Sequence, residues 1–106
     1  RTGQPGKGIF AKIMRIAALS ITAYVAESNS LKDKRSVIKQ WQARLKRDYG
    51  ASVCEDDYQN HRKWMGLGVA LACADETIAH QRIQKIEQIL YEDERLSRLD
   101  IVEKIY

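Results

Sequence analysis

Three cations stand within four residues near the start of a helical segment, Lys32, Lys34 and Arg35 in the hexapeptide Ser-Leu-Lys-Asp-Lys-Arg at residues 30–35. The positive end of a helix dipole disfavours a cation in the first turn by about 0.3–1 kcal/mol when it is exposed, so helix stability alone does not select this set. Backbone N–H groups at a helix start, joined by such side chains, suit an anion: a phosphate or an acidic side chain. Lys39 and Lys46 extend the set. Lys32, Arg35, Lys39 and Lys46 fall at i, i+3, i+7 and i+14, within one strip beside the apolar stripe of the same helix. Ser30, Lys32, Lys34, Arg35, Lys39 and Lys46 are therefore the expected anion or nucleic-acid contacts. The competing interpretation is a solvated helix face that only keeps the chain in solution.

A second group, His61, Arg62, Lys63 and Trp64, closes the polar stretch that begins at Asp56 and could recognise a partner, although most hairpin tips have this composition for solubility. No metal site is expected. Glu55, Asp56 and Asp57 are consecutive and point to alternating faces of a strand, while His61 and His80 are far apart in sequence. Cys54 and Cys73 should sit on opposite faces of neighbouring strands, so neither zinc ligation nor a nucleophile follows. Without a glycine-rich phosphate loop, no catalytic residue and no cofactor is assigned, and an enzymatic role lacks support.

The elements that must carry these residues are legible from periodicity. Arg15 to Val25 alternates, with Leu19, Ile21, Ala23 and Val25 on one face and Ser20, Thr22 and Tyr24 on the other, which predicts a half-buried strand. Ser30 can cap a helix, with Asp33 reciprocating. Leu31, Ile38, Trp41 and Leu45 share its apolar stripe, and Gly50 ends it. A short strand over 51–55 and the tip lead to Trp64–Ala74, where Met65, Leu67, Val69, Leu71 and Cys73 alternate with smaller residues. Asp75 caps a second helix bearing Ile78, Ala79, Ile83, Ile86, Ile89 and Leu90, and Leu99, Ile101 and Ile105 mark a last strand. Strand, helix, strand, strand, helix, strand, with two right-handed crossovers, predicts an α+β ferredoxin-like sandwich: a four-stranded antiparallel sheet with both helices on one face.

The open sheet face does not match the usual base-stacking pattern of RNA-recognition domains, because Gly66, Gly68, Ala70 and Ala72 occupy its third strand and leave Tyr24 and Trp64 at the margins. Small residues there let another backbone come close, which fits a homodimer formed through that face as well as it fits a smooth solvated face. An acylphosphatase-like enzyme of the same topology would need a glycine-rich anion loop after strand one, where this chain has Ala-Glu-Ser-Asn at 26–29.

The 106 residues fit one domain. Residues 1–13, with the only proline and three of the six glycines, are expected to be an expression remnant or a disordered leader, and 14–106 the single domain. Setting aside Arg1, Lys7 and Lys12 lowers the formal charge from +4 to +1, from 15 basic and 14 acidic residues. Charge distribution then matters more than the total: residues 30–49 carry +5, and the rest of the domain carries −4. No apolar run approaches the roughly 20 residues of a membrane span. Two cysteines make no disulfide framework, which suits a reducing cytoplasm.

The hexapeptide at 30–35 after the strand Ser-Ile-Thr-Ala-Tyr-Val, with Ala-Ser-Val-Cys-Glu at 51–55 and Leu-Gly-Val-Ala-Leu at 67–71, resembles the bacterial YlxP-like family, domain of unknown function 503. The likeness runs from about Met14 to Tyr106. It implies a ferredoxin-like fold and a cytoplasmic bacterial protein of unestablished activity, in a family whose members tend to be encoded near translation and ribosome-maturation genes. The His-Arg-Lys-Trp tip at 61–64 departs from the more acidic or amide-rich tip of the family. The expected function is non-enzymatic RNA or ribosome binding through the basic helix; the alternative is a dimeric protein-interaction or regulatory module using the open sheet face.

Overall fold

A computed structural model describes residues 13–106. Of the expected leader, only Ile13 lies within the described residues. The chain runs β1 (Arg15–Val25), α1 (Leu31–Tyr49), β2 (Ser52–Asp57), β3 (Trp64–Cys73), α2 (Glu76–Tyr91) and β4 (Leu96–Ile105). The strands form one antiparallel sheet in the order β2-β3-β1-β4, and both helices pack on one face. This is the α+β ferredoxin-like arrangement that the periodicity predicts.

Alternation decides which face is covered. Ala17, Leu19, Ile21, Ala23 and Val25 of β1, with Met65, Leu67, Val69, Leu71 and Cys73 of β3, are buried beneath the helices. Their layer meets Ile38, Trp41 and Leu45 of α1 and Ala79, Ile83, Ile86 and Leu90 of α2 in one core. Each of the larger aliphatic side chains among them contributes about 1.5–3 kcal/mol by leaving water, which makes the register hard to slip.

Both helices are capped as their sequences predict. Ser30 Oγ accepts the Asp33 N–H at 3.1 Å, and the Asp33 carboxylate accepts the N–H of Asn29, one residue earlier than the usual reciprocal bond. Asp75 accepts the Ile78 N–H at 2.9 Å. Gly50 adopts φ 64°, a left-handed turn that returns the N–H groups of Gly50 and Ala51 to the carbonyls of Lys46 and Leu45. α1 is tied to the α2–β4 connection by Trp41, whose Nε1–H donates to Asp93 Oδ2 at 2.9 Å. Asp93 is itself held by the Arg95 guanidinium, and Arg95 reaches Gln40 Oε1 at 2.7 Å.

Two departures from simple alternation shape one end of the sheet. β2 extends to Asp57, two residues beyond the predicted strand, because its pairing with β3 shifts between Glu55 and Asp57. β4 shifts against β1 between Thr22 and Tyr24, placing Arg98 and Leu99 opposite a single residue. Both edge strands therefore bulge at the sheet end that holds Tyr24 and Trp64. The glycines of β3 also have local occupants. A Cβ on Gly66 would lie 2.9 Å from Asp56 Oδ1, and one on Gly68 would lie 3.0 Å from Cys54 Sγ, so β2 side chains cover that part of the open face. Asp56 reaches across to accept from Ser20 Oγ at 3.3 Å.

Candidate nucleic-acid interface

The six residues grouped from the helix start separate into two roles. Lys32, Arg35, Lys39 and Lys46 are exposed and make no ion pair or side-chain hydrogen bond among the described residues. Gln42 and Lys46 line a shallow groove with Gly50, Ala51, Ser52 and Val53, which sets the C-terminal end of this strip beside the β2 edge. The remaining helix cations are engaged. Arg47 Nε pairs with Asp48 at 2.9 Å, and Arg44 lies 3.8 Å from the same carboxylate with its guanidinium 5.2 Å from the Trp41 ring centroid. The Arg47 hydrogen bond is the main reason Asp48 is held below the ordinary carboxylate range.

Lys34 departs from the expectation. Its side chain is 0% exposed, so it cannot reach a phosphate in solution. Its ammonium donates to the carbonyls of Tyr58 at 2.5 Å and Gln59 at 3.4 Å, and lies 3.7 Å from Glu55 Oε2. Burial pushes the Lys34 pKa down, while the negative charge of the nearby Glu55 carboxylate opposes that shift. That Glu55 oxygen has no hydrogen bond among the described residues, so its compensation is electrostatic. Position carried the missed signal. Residue 34 lies four before Ile38 and seven before Trp41, on the inward stripe, whereas its residue type suggested the surface. The Ser30 hydroxyl is likewise occupied by its cap bond.

The tip also uses most of its polar atoms internally. Lys63 Nζ donates to the carbonyls of Ala26 at 2.7 Å and Ser28 at 2.8 Å, so two of its three N–H groups are engaged within the fold. His61 Nδ1 accepts the N–H groups of Lys63 and Trp64, both at 3.1 Å. Ser28, only 2% exposed, donates to the Arg62 carbonyl at 2.7 Å. The tip is therefore stitched to the β1–α1 connection and the first turn of α1. Of the expected tip contacts, the Arg62 guanidinium remains exposed without a partner among the described residues, and Trp64 is half-buried against Tyr24 and Tyr58. Sequence reasoning missed Tyr58, whose ring is placed by the turn, and Arg98, which the β4 bulge swings over Tyr24.

A family model matches residues 16–102. The chain belongs to the DUF503 family, proteins of unknown function. No curated protein matches it. For this DUF503 chain, the match spans the basic helix, the tip and the β4 bulge, so the arrangement described above falls within the family's own extent. Beside the helix start, Val25, Glu27, Ser28, Asp33, Val37 and Arg95 line a cavity of about 140 Å³, smaller than the roughly 300–1,000 Å³ of small-molecule sites. No group of three or more His, Cys, Asp or Glu residues is poised to hold a metal among the described residues, and no described helix is long and apolar enough to cross a membrane.

Proposed function

We propose that this protein is a non-enzymatic RNA- or ribosome-associated binding protein that contacts phosphates through the outer face of α1. The supporting observation is the row of Lys32, Arg35, Lys39 and Lys46, four exposed cations without counter-charges on a domain whose remaining charge is acidic. Unpaired lysine and arginine along one helix face can follow a phosphate backbone, because each contact releases condensed counterions. Two of the four stand near the positive end of the helix dipole, so an arriving anion relieves an unfavourable interaction.

Affinity capture from the native cell, with and without nuclease, tests the reading. RNA is expected in the captured material, with its bound proteins lost after nuclease. A protein partner retained equally after nuclease, with no RNA recovered, contradicts it. The dimer reading rests on a different observation: Ile16 and Val102 are exposed on the open face, 38% and 63% respectively. Sedimentation of a strict monomer at high concentration removes it.

A further inference from the structure

The side chains gathered at the Tyr24 end of the open sheet face are aromatic and cationic, and the backbone is held in an unusual form to gather them. Tyr24 on β1 stands opposite Trp64 on β3, with ring centroids 5.1 Å apart and edge-to-face. Tyr58 lies 5.8 Å from Trp64 with its plane tilted by 31°, and the Arg98 guanidinium sits 5.0 Å from the Tyr24 centroid. Tyr58 is 39% exposed, while Tyr24 and Trp64 are half-buried, so the group still offers ring surface to solvent. Tyr58 and Arg98 are also the two non-glycine residues with positive φ among the described residues, 57° and 51°. A left-handed backbone at a non-glycine residue costs free energy and persists where the surrounding structure imposes it. Both instances lie in this one cluster, each beside a bulged edge strand.

We infer that this aromatic corner stacks an unpaired base of a single RNA strand whose phosphates lie on the α1 strip; the inference rests on the RNA-binding reading and narrows it to single-stranded RNA. Continuity and charge select this occupant. The bonds from Lys34 to the Tyr58 and Gln59 carbonyls join the first turn of α1 to the tip, so the helix start and the aromatic corner lie at the same end of the domain. Arg62 and Arg98 make no ion pair among the described residues and can approach the strand's phosphates. A base is planar and every base offers a π-face, so ring surface beside cations binds it without requiring a particular sequence.

The test compares a labelled 12-nucleotide single-stranded RNA, the same strand with abasic residues, and the duplex formed with its complement. The full-length protein is used at low salt. The intact strand should bind more tightly than the abasic strand by roughly 5- to 150-fold, the range for one stacked base. Tyr58→Asn keeps a residue tolerant of positive φ and should reduce the intact strand to the abasic level, leaving abasic and duplex binding unchanged. An unaltered thermal midpoint shows that the variant folds. Equal binding of intact and abasic strands by the wild type overturns the stacking inference and leaves the phosphate reading standing. Binding of none of the three overturns both and leaves the open face to another occupant, such as a second copy.

Discussion

The two halves of this domain repeat one plan, and of the four helix positions buried in both, one changes from apolar to charged. In β1-α1-β2 the helix is capped by Ser30, and in β3-α2-β4 by Asp75. Buried residues follow the caps at the same offsets of four, eight, eleven and fifteen: Lys34, Ile38, Trp41 and Leu45 in α1, and Ala79, Ile83, Ile86 and Leu90 in α2. Only the residue at the fourth position changes character. Ala79 closes against the sheet, whereas Lys34 carries a charge into the equivalent place and uses it to hold the tip between β2 and β3. The comparison teaches that a cation in a basic helix is assigned by its offset from the cap as well as by its type. One lysine in the Ser30–Arg35 hexapeptide holds the tip, and its neighbours at 32 and 35 stay exposed.

Exchange experiments break this comparison most directly. Ala79→Lys should have the largest effect, above about 4 kcal/mol, because the added side chain overpacks the core and brings a charge to a site where Lys34's acceptors are absent. Chemical denaturation should find little folded protein. Lys34→Ala leaves two carbonyls and Glu55 without their cation and should cost about 2–4 kcal/mol, less than a fully buried pair because Glu55 retains some solvent. Its thermal midpoint should fall by about 10 °C or more. Lys34→Met with Glu55→Gln removes the orphaned charge and should recover part of that loss. Full stability in Lys34→Ala would contradict the structural role.

Acid and base titration sharpen the comparison. Arg95 chiefly, with the Trp41 N–H also contributing, holds Asp93 below its ordinary carboxylate value of 3.8. Stability from this group is therefore present above its unfolded value and is lost as pH falls through the lower folded value. Asp93→Asn should cost about 1–2 kcal/mol at neutral pH and flatten that part of the acid limb in a denaturation series. Lys34 gives the same direction of slope in a higher pH window, for a different cause: burial disfavours its charged form. Its folded value lies below the unfolded 10.5, so its contribution to stability rises with pH across the interval between them. NMR titration of the Lys34 side chain should place its midpoint below 10.5, and Glu55→Gln should lower it further. The smallest effect is expected from Lys32→Gln with Arg35→Gln. Removing cations from the helix start should leave stability unchanged or raise it by about 1 kcal/mol.

Much of the frame was legible because period and burial agree. The alternation over β1 and β3, the two caps and Gly50 set the sheet order and helix limits before any contact was known. The inward position of Lys34 is also legible in its offset, but lysine's usual preference for water points the other way. The aromatic cluster beside the tip and the Arg98 bulge were not legible. Tyr58, Trp64, Tyr24 and Arg98 meet only after β1 pairs with both β3 and β4, and a bulge's position depends on that pairing rather than on its own strand's sequence. For the same reason the glycines of β3 suggested open space, whereas Asp56 and Cys54 lie across them.

The phosphate-binding strip is the central claim, and the salt dependence of RNA affinity measures it. Wild-type protein and the Lys32→Gln, Arg35→Gln, Lys39→Gln, Lys46→Gln variant are titrated with a single-stranded RNA at several salt concentrations. Four phosphate contacts predict that log affinity falls against log salt with a slope of magnitude about 3, at roughly 0.7 per contact. The folded variant should lose most of both the affinity and the slope. Wild-type binding that ignores salt, or a variant that keeps the wild-type affinity and slope, would contradict the account.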